Sequence, residues 1–281
     1  MQNQYQQTPL SLVQRVMEHK SCQLHYWVSE NEASSTVILL HGAGADHRMF
    51  NDQVEALYEH YRLLVWDCRA HGKSQPNGEP FTLQLAVDDL STIMDREQIK
   101  TAVLVGQSMG GLIAQLFYRT FPQRTQALIL IGTTPIAKAY SWLDVQMTQW
   151  SLPILRWWPY QNFLRVSAET AALTKPARDY MFNAMELIPK ATLLDIWKGV
   201  VAIVTQDGIP GWGLEIPVLL MHGERDRNGS IRDDAPEWVQ NEPNMTYIVI
   251  PDAAHNANQD NPQAVNNAIV NFLSEIAIRS Q

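Results

Sequence analysis

Short apolar runs alternate with helical patterns along most of this chain. Val37-Ile38-Leu39-Leu40, Leu63-Leu64-Val65-Trp66, Ala102-Val103-Leu104-Val105, Ala127-Leu128-Ile129-Leu130-Ile131, Val218-Leu219-Leu220-Met221 and Tyr247-Ile248-Val249-Ile250 each stop at a glycine, proline, aspartate or His-Gly pair. Four or five apolar residues without polar alternation suit strands buried on both faces, the pattern of a parallel sheet between helices. The intervening segments carry helical spacing instead. Leu83, Val87, Leu90 and Met94 recur every three or four residues, as do Val265, Ile269, Phe272 and Ile276 just after Asn261-Pro262. Two further strands are expected around Leu12–Met17 and Gln23–Val28. The pattern predicts an α/β fold with a mostly parallel central sheet flanked by helices.

One stretch breaks the alternation. Between about Pro135 and Trp212 no strand pattern occurs, yet the segment holds Trp142, Trp150, Trp157, Trp158, Trp197 and Trp212. It is too long for a bare loop and must carry its own helices. We divide the chain accordingly into a core, 1–134 with 213–281, and a helical insertion, 135–212. Open α/β sheets bind ligands at the carboxyl ends of their strands, so an insertion over that edge would be a lid. Most of its tryptophans are expected to pack the insertion onto the core, with one or two reaching a pocket.

Composition narrows the function classes. The 281 residues are 46% hydrophobic and 18% charged, which excludes a disordered or fibrous chain. Lys plus Arg number 21 against 29 Asp plus Glu, a net charge of -8, and no basic cluster offers a grip on nucleic-acid phosphates. Cys22 and Cys68 read as reduced thiols of a cytoplasmic protein. The polar start, Met1 to Gln7, lacks the basic and apolar regions of a signal peptide, and no run approaches the length of a membrane span. Leu152–Pro159 is the segment that could touch a membrane surface, but its prolines and the acidic net charge argue against that role.

The chemistry concentrates at Gly106-Gln107-Ser108-Met109-Gly110, which follows one buried run and opens the helical stretch Gly111–Leu116. A serine on so tight a strand-to-helix turn presents its hydroxyl in the open and needs glycine on both sides. The helix behind it directs its positive end at the point of attack. A serine hydroxyl is a weak nucleophile and requires a base held by a third group. In strand–turn–helix sites of this kind the chain order is nucleophile, acid, histidine. Of eight histidines, His222 and His255 follow Ser108, and His222 has no acid between it and a preceding strand. His255, just after the last strand, is the expected base. The acid should lie between, in His222-Gly223-Glu224-Arg225-Asp226, where Asp226 is preferred and Glu224 is the alternative. The oxyanion of an acyl intermediate would find N–H donors at Met109 and at Ala43, in the loop His41-Gly42-Ala43-Gly44. That loop starts like a dinucleotide fingerprint, but His47 stands at the third glycine position. There is no phosphate-loop lysine and no His-Glu-x-x-His metal motif, so no cofactor and no metal are expected.

Together these pieces resemble the α/β-hydrolase superfamily over essentially the whole chain. The matching residues are His41-Gly42-Ala43-Gly44, Asp67-Cys68-Arg69-Ala70-His71-Gly72-Lys73-Ser74, the turn at Ser108, Asp226 and His255; Ala70 stands where the family usually has glycine. The resemblance implies an α/β-hydrolase fold with 135–212 as its helical cap. It is similar to the capped, serine-nucleophile group of carboxylesterases, enol-lactonases, acyl-homoserine lactonases and carbon–carbon bond hydrolases. A serine at the turn separates it from the dehalogenase and epoxide-hydrolase branches, which use aspartate. The implied activity is hydrolysis of a small carboxylic ester or lactone through an acyl-enzyme. Alternatives on the same triad are carbon–carbon bond hydrolysis, acyl transfer, or a receptor with little turnover. The motifs leave the oligomeric state open.

Overall fold

The computed structural model describes residues 11–279, apart from 32, 34, 205, 206, 210 and 211, together with Tyr5 and Pro9. Most of the polar start therefore lies outside the described residues. All six apolar runs form strands. The sheet consists of β1 (Val13–His19), β2 (Cys22–Val28), β3 (Thr36–Leu40), β4 (Arg62–Trp66), β5 (Ala102–Gln107), β6 (Thr125–Ile131), β7 (Val218–Gly223) and β8 (Met245–Ile250). Their spatial order is β1-β2-β4-β3-β5-β6-β7-β8. β1, β2 and β4 pair antiparallel, and every pairing from β4 to β8 is parallel. The central strands β3, β5 and β7 are buried throughout, as strands covered on both faces must be.

The helices that cover the sheet are α1 (Asn51–Leu57), α2 (Leu83–Arg96), α3 (Met109–Thr120), α8 (Ile231–Asn241), α9 (Ala257–Asp260) and α10 (Pro262–Arg279). α2 begins where Thr82 accepts from the Leu85 N–H, and it buries Leu83, Val87, Leu90 and Met94, the stripe read from the sequence. α10 buries Val265, Ile269 and Phe272 in the same way. Between β6 and β7 the chain forms α4 (Trp142–Trp157), α5 (Tyr160–Ala171), α6 (Lys175–Glu186) and α7 (Lys190–Val201), with no strand among the described residues.

The expected packing role of the insertion's tryptophans needs correction. Trp142, Trp150 and Trp157 are exposed and Trp197 is 36% exposed, so most do not pack onto the core. Hydrophobicity predicts that a tryptophan seeks cover, but not whether its own chain supplies it.

Beneath the loops that follow β3 and β4 lies a buried histidine pair. His41 donates from Nδ1 to the Gly42 carbonyl and accepts the Cys68 N–H at Nε2, at 2.8 and 3.0 Å. His71, its ring 5.0 Å from that of His41, donates from Nδ1 to the Arg69 carbonyl. Burial, reinforced by His41, pushes His71 down to about 3, and burial lowers His41 as well. In the unfolded chain such a group titrates near 6.5. Between that value and about 3, the unfolded state binds protons that the native state refuses. This stability is therefore complete above pH 6.5 and is lost as pH falls, by up to about 1.4 kcal/mol per pH unit from His71 alone. Urea unfolding should show a native state roughly 2–3 kcal/mol weaker at pH 4.5 than at pH 7. His71→Asn should flatten that dependence, and an unchanged slope in the variant would place its origin elsewhere.

Candidate active site

The parallel strands bring five loops to one sheet edge. β3 runs into His41–Asp46, β5 into Ser108, β6 into Gly132, β7 into Glu224–Asp226, and β8 into the loop bearing His255. Ser108 and His255, separated by 147 positions in the sequence, thus share this edge.

Ser108 joins β5 directly to α3, with φ 51° and ψ -116°, a left-handed conformation that a non-glycine residue adopts only under strain. Its N–H donates to the Ile131 carbonyl at 2.8 Å, and its carbonyl accepts from Gly111 and Leu112. The turn therefore has both ends held. Its glycines are required by close approach: a Cβ on Gly106 would lie 2.4 Å from the Gly110 carbonyl oxygen, and one on Gly110 only 1.9 Å from that of Leu40. Ser108 itself is partly exposed, while Met109 is buried as the first residue of α3. The Met109 N–H is among the first of the helix, which have no acceptor inside it.

Asp226 and His255 are in direct contact. Nδ1 of His255 donates to Oδ2 of Asp226 at 2.9 Å, with Oδ1 at 3.2 Å. Oδ1 also accepts the Asn228 N–H at 2.9 Å, so the carboxylate is held from both sides while fully buried. The proton on Nδ1 leaves Nε2 of His255 as the acceptor nitrogen. Gly132 makes room for the pair: at φ +57°, its missing Cβ would stand 3.2 Å from His255 Nδ1 and 3.3 Å from Asp226 Oδ2. Glu224, the alternative acid, is exposed and only its Oε2 reaches toward the Asp252 N–H, at 3.5 Å. His222 is turned away into the sheet, bonded to Gly223 and the Tyr247 hydroxyl.

Gln107 was not singled out by the sequence, yet it joins three of these loops. Its buried Nε2 donates to the His255 carbonyl at 3.1 Å and approaches Asn256 Oδ1 at 3.4 Å. Its Oε1 lies 2.1 Å from where a Cβ on Gly42 would be, and Ser108 Cβ lies 3.3 Å from the same point. The side chain thus spaces the Gly42–Ala43 loop and the His255 loop about the serine turn. Its only sequence signal is adjacency to the serine; a polar amide ending a fully buried strand needs partners there.

The insertion is tied to the same loops. The Tyr180 hydroxyl of α6 accepts the Asp46 N–H at 2.9 Å and donates to the Asp46 carbonyl. Asp260 accepts from Leu173 and Thr174 on one side and from Ala254 on the other, and Asn256 donates from its N–H to the Ala171 carbonyl. Met185 and Leu193 lie against Gly44. Among the described residues, Asp46, His47 and Asp67 also bring potential metal ligands within 4.8 Å of one another. Their groups are already engaged. Asp67 accepts from the N–H and Nδ1 of His47 and from the Lys73 N–H, and Asp46 is clasped by Arg48. These bonds brace the loops that follow β3 and β4.

A serine on a strained turn, a histidine that keeps Nε2 as acceptor, a buried carboxylate behind it and helix N–H groups beside the serine are together competent for acyl transfer. No helix among the described residues is long and apolar enough to cross a membrane. Comparison with known proteins gives the same frame. The chain is 27% identical over 263 residues to a pimeloyl-[acyl-carrier protein] methyl ester esterase of Pectobacterium atrosepticum, covering 88% of this chain and 97% of that one. It is 25% identical to 3-oxoadipate enol-lactonase 2 of Acinetobacter baylyi, over 83% of this chain and 86% of the other. A hydrolase from Pseudomonas aeruginosa superposes with a TM-score of 0.80 at 20% identity, covering 95% of this chain and 99% of that structure. Residues 37–268 match the model of the alpha/beta hydrolase family, and the chain belongs to that family.

Proposed function

We propose that this protein is a serine hydrolase that cleaves a small carboxylic ester or lactone by way of an acyl-enzyme. The observation that carries the reading is the 2.9 Å Asp226–His255 pair at the same sheet edge as the strained Ser108 turn. In this mechanism Ser108 Oγ attacks the acyl carbonyl as His255 Nε2 removes its proton. Asp226 keeps the second imidazole proton on Nδ1 and stabilises the imidazolium. The negative charge on the former carbonyl oxygen is met by the N–H groups of Ala43 and Met109. His255 then protonates the leaving alkoxide. Water, deprotonated in turn by His255, releases the acid and restores Ser108.

Similarity to a methyl ester esterase and to an enol-lactonase supports the bond class. Residues 135–212 serve as the cap over this edge, a role supported by the Tyr180 and Asp260 ties to the Asp46 and Ala254 segments. A cytoplasmic location fits Cys22 and Cys68, both free and buried.

A panel of p-nitrophenyl esters and five- and six-membered lactones tests the proposal. Steady turnover is expected on at least one class, and a fluorophosphonate should label Ser108 and no other serine. Labelling followed by no turnover of any ester or lactone would instead assign the fold to a receptor.

A further inference from the structure

The outer face of α4 carries more apolar surface than a solitary domain normally leaves open. The helix packs on α7, burying Val145, with Trp197 Nε1 donating to Ser151 Oγ at 2.9 Å. On its other side Trp142, Leu143, Met147, Trp150, Ile154 and Trp157 are between 60% and 85% exposed. Three tryptophans and three large aliphatic side chains exposed to that degree amount to roughly 800 Å². The largest apolar patch on an ordinary monomer is about 300–600 Å². One side of a standard protein interface is about 800 Å².

The spacing specifies what fits there. Leu143, Met147, Trp150, Ile154 and Trp157 recur at intervals of four, three, four and three, the seam with which one helix packs along another. The seam is also nearly symmetric about the middle of the 16-residue helix. Two copies crossing antiparallel at the turn between Met147 and Trp150 set Met147 of each beside Trp150 of the other. Leu143 of each then meets Ile154 of the other. A two-fold interface requires this self-complementarity, because the same patch must serve both sides. Of the positions flanking the seam, Gln146, Ser151 and Pro153 are uncharged, and the one acid, Asp144, is set level with the uncharged Pro153 of the other copy, so pairing opposes no like charges. A lipid surface would call for a cationic flank. α4 instead balances one acid, Asp144, against one base, Arg156, in a chain of net charge -8.

We propose that the exposed face of α4 is a homodimer interface in which two copies pair this helix antiparallel about the Met147–Trp150 turn. The pairing also braces the cap, since α4 packs on α7 and α7 places Leu193 beside Gly44.

Sedimentation velocity on the full chain at roughly 10 μM, within the range for interfaces of this size, should show a dimer. The double variant Met147→Glu/Trp150→Glu should sediment as a monomer with unchanged circular dichroism, because both side chains are exposed in the single copy. A monomeric wild type overturns the proposal, and its co-sedimentation with phosphatidylglycerol vesicles would give the face to a lipid surface. A dimer that survives the double substitution also overturns it. Cysteine cross-linking tests the direction of pairing. With a short bismaleimide, Met147→Cys should link to its own copy near the two-fold axis, whereas Leu143→Cys, far from the axis, should not. The native Cys22 and Cys68 are fully buried and stay out of the reaction. Efficient linkage at position 143 would overturn the antiparallel arrangement.

Discussion

Ser108→Ala is expected to lower kcat on a p-nitrophenyl ester by roughly 10⁶, the cost of deleting the serine from a protease triad. The hydroxyl sits at the tip of a turn whose backbone is held by the Ile131 carbonyl below and by Gly111 and Leu112 behind. None of these bonds uses the side chain. Alanine tolerates the φ of 51° no worse than serine, so the melting temperature should be unchanged. Loss of activity without loss of fold separates a nucleophile from a structural serine. Adding His255→Ala to Ser108→Ala should cost little more, because the two groups act as a unit. Substantial hydrolysis remaining in Ser108→Ala would remove this residue from the mechanism.

Asp226→Asn is expected to reduce kcat by on the order of 10⁴, as the same change does in a serine protease. The carboxylate accepts from His255 Nδ1 and from the Asn228 N–H. An amide of the same shape keeps the second bond but can offer its NH₂ to the ring, which moves the imidazole proton to Nε2. The histidine then has no acceptor for the serine proton. Glu224→Gln should change kcat less than about tenfold, since this exposed side chain makes a long hydrogen bond to the Asp252 N–H, a weak one. Steady-state kinetics on both variants decides between the acids. The reversed order of effects would make Glu224 the orienting group.

Much of this arrangement was legible from residue order. Unbroken apolar runs announce the strands, and each of the six named from the sequence lies within an observed strand, although β8, at the sheet edge, is only partly buried. The register of α2 followed from Leu83, Val87, Leu90 and Met94 because a helix facing one sheet must repeat its contacts about every 3.6 residues. The serine turn was legible because Gly106 and Gly110 leave no space for side chains there. Chain order, once a serine had been chosen, narrowed the expected base to His255 and the expected acid to Asp226 or Glu224.

Other features required atoms from distant segments to be set side by side. Gln107 reads in sequence as an arbitrary residue between a strand and a serine. Its importance comes from the His255 carbonyl and Gly42, brought to it by the parallel order of β3, β5 and β8. The choice of Asp226 over Glu224 likewise rests on a backbone turn after β7 that buries one carboxylate and leaves the other in water. The tryptophans show the limit most directly. Local pattern determines that α4 is a helix with apolar residues on more than one side. Which side meets α7 and which faces outward depends on how the insertion docks through Tyr180 and Asp260, contacts made with residues 134 and 87 positions away in the chain. Periodicity along the sequence determined the strands and the helices, because those depend on neighbours. The tertiary structure decided burial, partners and the free face of α4, because these depend on which remote surfaces a shared sheet edge brings together.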